Sequence, residues 1–261
     1  MLFYKAWIET RVRFATGLIA AAIICIFYME QHAWLVRMWT EDMQNPHGYH
    51  MKWMPLGIHE YGWYLWHYLY DNYLQQVWTL FAILFAFGGL IRERNDGTVL
   101  FSLGLPVSRR RWLFTRLGVA LLESFALSLF AVLVIVIGSA VIHQTYSLSQ
   151  LLIHTALMVA AGVFMIAFGN LCYTLFPGNY LSLILTLVLL GAPYLWLQTY
   201  MQHMRDVGRA PWLGYLDFAH TMAGPWQLSW SAMPLVPLLV AWLLTAVLLA
   251  ATVAHGDRLD Y

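Results

Sequence analysis

Apolar residues fall along this chain in uninterrupted runs approaching the ~20 positions needed to cross a hydrocarbon core, longer than a helix in a soluble core requires. The runs predict an all-α integral membrane fold of six transmembrane helices, at about 14–29, 73–91, 113–142, 151–175, 180–200 and 234–254. Ahead of the first run, Tyr4-Lys5-Ala6-Trp7-Ile8-Glu9 mixes aromatic and charged residues. This pattern predicts an interfacial helix over 3–13 that lies along the membrane before the chain turns in. Phe176-Pro177-Gly178-Asn179 is a compact breaker cluster, so the fourth and fifth spans should form an antiparallel hairpin.

Polar and aromatic residues collect in two long connections, 30–72 and 201–233. The first carries Trp34, Trp39, Trp53, Trp63 and Trp66, the second Trp212, Trp226 and Trp230. Indole rings prefer the headgroup level, where an apolar body and a polar N–H are both accommodated, so short helices on or dipping into the outer leaflet are expected. Pro211, Gly214, Gly224 and Pro225 divide the second connection, as a broken or re-entrant element before the last span requires.

Charge then orients the pattern. Of the 14 Lys and Arg residues, Arg37, Lys52, Arg205 and Arg209 lie in the two long connections. The remainder, Lys5, Arg11, Arg13, Arg92, Arg94, Arg109 to Arg111, Arg116 and Arg258, flank the opposite span ends. Basic residues are retained on the cytoplasmic side, so the expected topology is N-in and C-in, with a cytoplasmic loop at 92–112. Composition agrees: 61% of residues are hydrophobic and 10% charged, against about 45–50% and about 25% in soluble domains. A net charge of +1 argues against a nucleic-acid partner, which demands a concentrated basic face. Cys25 and Cys172 sit inside apolar runs and read as small packing residues rather than a disulfide. Phe27, Tyr28 and Met29 close the first run where a cleavage site would need small residues, so that run reads as a retained span.

The chemistry-bearing stretch is Arg92-Glu93-Arg94-Asn95-Asp96-Gly97-Thr98, followed by Val99 to Gly104 and Leu105-Pro106-Val107-Ser108-Arg109-Arg110-Arg111. Asp96-Gly97-Thr98 reads as a turn in which an Asp or Thr side chain caps a following helix. Thr98 to Leu103 is then a short amphipathic helix, ended by Leu105-Pro106. Ser108 caps the next helix, whose first turn carries Arg109, Arg110 and Arg111.

This arrangement resembles the permease subunits of the ABC-2 (type V) ABC transporter family, in which an acidic residue precedes Gly-Thr, a short helix and Leu-Pro-Val-Ser-Arg between spans two and three. Here those positions are Glu93, Asp96-Gly97-Thr98 and Leu105-Pro106-Val107-Ser108-Arg109, and the charged tail Asp257-Arg258-Leu259-Asp260-Tyr261 is similar to the tail that closes many such chains. The Trp- and His-rich first connection is longer than the family's minimal pattern. The resemblance implies a coupling helix seated on cytoplasmic ABC ATPase subunits, with Glu93, Arg94, Asp96, Gly97, Thr98, Arg109, Arg110 and Arg111 as the coupling set. It also implies a second permease subunit, homo- or heteromeric, and surrounding membrane lipids as partners, in the cell membrane. The function implied is a permease subunit of an ATP-driven exporter; the long first connection keeps a substrate from being carried over, and it is the expectation of an apolar, aromatic-lined cavity that suggests a lipid, peptide or amphipathic compound.

The two lysines, Lys5 and Lys52, lie in no Gly-x-x-x-x-Gly-Lys-Ser/Thr loop, so this chain is not expected to be an ATP-hydrolysing enzyme or to hold a cofactor; ATP and Mg belong to the partner. A non-transporting scaffold or sensor that docks a soluble partner through 92–112 is the alternative. A plain hairpin whose arginines meet anionic lipid explains the arginines, but not Asp-Gly-Thr and Leu-Pro-Val-Ser together. Glu123 falls within the third span, two helical turns beyond Arg116. It is either an intramembrane functional acid or a side chain that snorkels or pairs near the inner interface. His32, His47, His50, His59 and His67 with Met43, Met51 and Met54 have soft-metal chemistry but no tight ligand spacing, so no metal site is assigned. His143 and His154 form no paired-His arrangement for haem. No Gly-x-Ser-x-Gly or His-Glu-x-x-His occurs.

Overall fold

The computed structural model describes residues 2–45, 56–88, 108–176, 181–208 and 212–256. These are about 90% helical and contain no strand. The long helices are α1 (Leu2–Gln44), α3 (Gln75–Phe87), α4 (Arg109–Val141), α5 (Leu148–Leu175), α6 (Leu181–Asp206) and α8 (Leu235–Gly256). Before α3 run a 3-10 turn (Leu56–His59), the one-turn α2 (Tyr61–Tyr64) and a π segment (Leu65–Leu74). Between α6 and α8 lie a 3-10 turn (Trp212–Leu216), the short α7 (Phe218–Ala223) and a second 3-10 turn (Trp230–Ala232).

Among the described residues, α1, α4, α5 and α8 are long and apolar enough to cross a membrane, which makes this a membrane protein. The other two expected spans also coincide with helices, but their apolar stretches are shorter: 13 residues in α3, and Leu181–Pro193 in α6. The π segment continues the α3 rod backwards without a break. Asn72 Nδ2 bonds the His67 carbonyl at 2.7 Å, taking one acceptor inside the segment. The breaker cluster Pro177-Gly178-Asn179, between α5 and α6, lies outside the described residues.

The expected interfacial helix at 3–13, distinct from a span at 14–29, is corrected: both belong to the single helix α1, which continues to Gln44 through the first part of the expected 30–72 loop. No Pro or Gly interrupts the chain between Gly17 and Pro46. Of its polar residues near the start, Glu9, Thr10 and Arg13 find partners on α3 and α4. The buried residues of α1 are Ala6, Thr10, Gly17, Ala21, Cys25, Met29 and His32, a stripe at helical spacing made mostly of small side chains. Small residues let helix backbones approach closely where apolar burial gives no preference for protein over lipid.

The same device orders the centre. α5 packs against α3, α4, α6, α7 and α8, and its Gly162 and Gly169 face Trp78 and Ala86 of α3. Trp78 is 1% exposed; its Nε1 donates to Ser128 Oγ at 2.7 Å and the Ser124 carbonyl at 3.1 Å, joining α3 to α4. Trp242 Nε1 donates to the Ala160 carbonyl at 2.9 Å, joining α8 to α5. Both cysteines are buried and free.

Candidate functional site

Two places concentrate polar chemistry, one at each end of the bundle. The first brackets the segment 89–107. α3 stops at Gly88, whose φ of +47° is a conformation that suits glycine. The carbonyls of Leu84 and Gly88 then have no helical partner. Arg13 of α1 fills that role: its Nη1 donates to Leu84 O at 3.0 Å and also to Gly88 O. On the other side of the segment, Ser108 caps α4, accepting from the Arg111 N–H at 3.3 Å, the role expected of it.

α1 also grips α4. Glu9 Oε2 lies 2.9 Å from Arg116 Nη2, and Lys5 Nζ lies 3.8 Å from Glu9 Oε1. The guanidinium of Arg116 sits over the Trp112 ring, 4.4 Å from its centroid. Next to Glu9 in the chain, Thr10 Oγ1 meets Glu123 Oε1, and Glu123 is only 2% exposed. Glu123 therefore does not snorkel, and Arg116 pairs with Glu9 rather than with Glu123. Three helices thus meet beside one segment: α1 holds the end of α3 through Arg13 and the first part of α4 through Glu9, while Thr10 meets α4 about four turns in, at Glu123.

Of the coupling set expected from sequence, Glu93, Arg94, Asp96, Gly97 and Thr98 lie outside the described residues. Arg109, Arg110 and Arg111 form the first turn of α4, where Arg110 and Arg111 are exposed. The residues that sequence reasoning missed are Glu9, Thr10 and Arg13, which had been read as belonging to an interfacial helix. Their signal was the small-residue stripe, which passes through position 10 on its way into the span.

At the far end, side chains from the π segment, α3 and α5 hold the broken piece before α8. Trp66 Nε1 donates to Gly224 O at 3.1 Å, Gln75 Nε2 to Ala219 O at 3.0 Å and His154 Nδ1 to Ala223 O at 2.7 Å. These carbonyls belong to α7 and to Gly224 just past its end, some of which a six-residue helix leaves unpaired. Gln150 closes a two-way amide pair with Leu228, at 2.8 and 3.2 Å, and Asp217 caps the start of α7. Irregular backbone is tolerated at membrane depth when protein satisfies it in this way. Burial raises the Tyr146 phenol above its usual range, and the ring stacks on Trp226.

The histidines are structural in this arrangement. His32 Nε2 lies 2.9 Å from the Ile58 carbonyl, which makes Nε2 the protonated nitrogen. His143 occupies the left-handed region at φ +55°, where it ends α4, and His154 is committed to Ala223. His47, His50, Met51 and Met54 lie outside the described residues. Among the described residues no three His, Cys, Asp or Glu side chains converge.

Two adjoining apolar clefts, of about 160 and 330 Å³, share Met165 and Leu190 between α3, α5 and α6. The smaller is bordered by Gln75, Gln76 and Thr79, the larger by Phe164, Trp196 and Phe218. No protein-family model matches the chain, and neither a curated protein nor a solved structure is significantly similar to it.

Proposed function

We propose that this chain is the membrane-embedded permease subunit of an ATP-driven ABC exporter, crossing the cell membrane six times with both ends inside and working as a dimer with two cytoplasmic ATPases. The observation that carries the reading is the clamp that α1 places on both ends of 89–107. A segment meant to transmit a push needs its exit and its re-entry tied to the spans, and Arg13 and Glu9 supply those ties. The sequence of the segment, with Asp96-Gly97-Thr98 and Leu105-Pro106-Val107-Ser108, supplies the resemblance to a docking element. With no phosphate loop in the sequence, this reading puts the energy source in another subunit. An apolar cleft bordered by Gln75, Gln76 and Thr79 suits a lipid, peptide or amphipathic cargo.

On this reading the purified chain hydrolyses no ATP, co-purifies with a soluble ATPase, and loses that coupling when Glu93→Ala is combined with Asp96→Ala. Losing a helix cap and a charged contact at a desolvated interface costs roughly 2–5 kcal/mol. At ~1.4 kcal/mol per tenfold, that weakens docking at least tenfold. The control, Glu60→Ala with Asp71→Ala, retains ATPase binding. Robust hydrolysis by the isolated chain, or wild-type ATPase retention and transport in the Glu93/Asp96 variant, would overturn the reading in favour of a scaffold or lipid-contact role.

Orientation is tested separately. A cysteine in place of Asn95 should react with impermeant thiol reagents only from inside, and one in place of Gly48 only from outside. Labelling of both positions in intact cells would refute the N-in, C-in arrangement.

A further inference from the structure

Glu123 presents an accounting problem in protons. Its carboxyl group is buried between α4 and α1, and Oε2 has no hydrogen-bond partner among the described residues. Oε1 meets Thr10 Oγ1, which also lies 3.1 Å from the Ala6 carbonyl and 3.2 Å from the Trp7 carbonyl. A threonine hydroxyl carries one hydrogen. In a helix that hydrogen goes naturally to the carbonyl four residues back, here Ala6. That hydrogen can instead go to Glu123 Oε1; where Ala6 keeps it, the Thr10–Glu123 contact needs a second hydrogen, which a protonated Glu123 provides, and in either case Oε2 stays buried without a partner among the described residues.

Of the surrounding charges, Arg13 lies near enough to favour an ionised Glu123, but no group among the described residues bonds Oε2. From α1, Arg13 directs Nη1 to Leu84 O and Gly88 O, and Glu9 faces Arg116 at 2.9 Å. On α4 itself, Arg116 is the nearest ionisable residue in sequence and is occupied by Glu9. α3 contains no ionisable side chain, and α5 contains no Asp, Glu, Lys or Arg. An ionised carboxylate here would keep a buried, unpartnered charged oxygen, whereas the neutral acid leaves only a carbonyl oxygen without a partner, a far smaller cost.

We propose that Glu123 is a proton-binding site of the bundle: a neutral carboxylic acid that donates to Thr10 Oγ1 while α1 and α4 are closed on each other, and gives up its proton when they part. In the release step the O–H bond breaks, its electron pair stays on the carboxylate, and the proton passes to water at the end of the bundle that carries Lys5 and Arg110. The ligand is the proton itself, so the closed seam between α1 and α4 is favoured by acid and opposed by alkali.

The test is infrared spectroscopy of the purified full chain in lipid nanodiscs at neutral pH. The wild type should show the C=O stretch of a protonated carboxylic acid that Glu123→Gln lacks. Thr10→Val, which removes the acceptor, should shift that band without abolishing it, and raising the pH of the wild type should convert it to carboxylate stretches. If Glu123→Gln fails to fold, the Thr10→Val shift and the alkaline conversion still decide the matter. A wild-type spectrum with carboxylate bands alone at neutral pH, or an acid band indifferent to both Thr10→Val and alkali, would overturn the proposal. No ATPase and no transport enter this measurement, so its failure leaves the permease reading standing.

Discussion

Replacing Gly162 by valine is expected to lower the folding equilibrium about a thousandfold. A Cβ at Gly162 would lie 2.1 Å from Trp78 Cζ3 and 2.3 Å from Cη2. The indole cannot retreat cheaply, because Nε1 is bonded to Ser128 Oγ and the Ser124 carbonyl on α4. Overpacking a dense interior costs roughly 1–3 kcal/mol, and stranding the buried indole N–H about 1–3 kcal/mol more. A loss of about 4 kcal/mol is about a thousandfold in the folding equilibrium. The measurement is the thermal midpoint in detergent, with the yield of monodisperse protein beside it. Adding Trp78→Leu should recover part of the loss by making room for the valine. Gly118→Ala is the control: nothing lies within 4 Å of its Cβ position, and alanine improves helix propensity by up to about 1 kcal/mol. A Gly162→Val protein that melts with the wild type would show that α3 and α5 do not pack through this contact.

Breaking the Glu9–Arg116 pair should cost less than that, but more than a surface ion pair would. Arg116 is 7% exposed and the Glu9 side chain 16%, so removing either partner strands a mostly buried charge. Such losses run to about 3–5 kcal/mol when burial is complete. The residual exposure of Glu9 and the nearby Lys5 reduce the figure to about 2–3 kcal/mol. Glu9→Gln should be the worse of the two single changes, since Glu9 retains Lys5 when Arg116 is lost. The double variant Glu9→Gln with Arg116→Gln should fall short of the sum of the singles by at least about 1.5 kcal/mol. Strict additivity in the cycle would mean that the two groups do not act on each other.

The long apolar helices were legible because their signal is local. α4, α5 and α8 are runs with few charges, and each expected end, at 113–142, 151–175 and 234–254, falls within a few residues of the helix observed. The cap at Ser108 was legible too, since a serine before three arginines at the mouth of an apolar run has one obvious use. α1 was not. Lys5, Glu9, Arg11 and Arg13 look like interface residues until their partners are known, and the partners of Glu9 and Thr10 lie on a helix more than a hundred residues away. Arg13 was harder still, because it bonds backbone carbonyls of Leu84 and Gly88, which carry no side-chain signature. The π segment hid for a related reason: Trp66, His67, Tyr68 and Tyr70 suit a membrane interface as well as they suit a buried helical turn, and the packing of α1, α5 and α7 against the segment distinguishes the two.

The length of α1 has a mechanical meaning. At ~1.5 Å per residue its 43 residues extend about 65 Å, roughly twice the ~30 Å of a hydrocarbon core. It is a single hydrogen-bonded rod. Arg13 and Glu9 secure its lower arm, and the upper arm is fastened by the stack of Tyr28 on Tyr73 and by the bond from His32 to Ile58. The narrow seam of Gly17 and Ala21 lies between them like a fulcrum. The Arg13 and Glu9 contacts at one end and the Trp39–His59 contact at the other are thereby joined through the backbone of one helix.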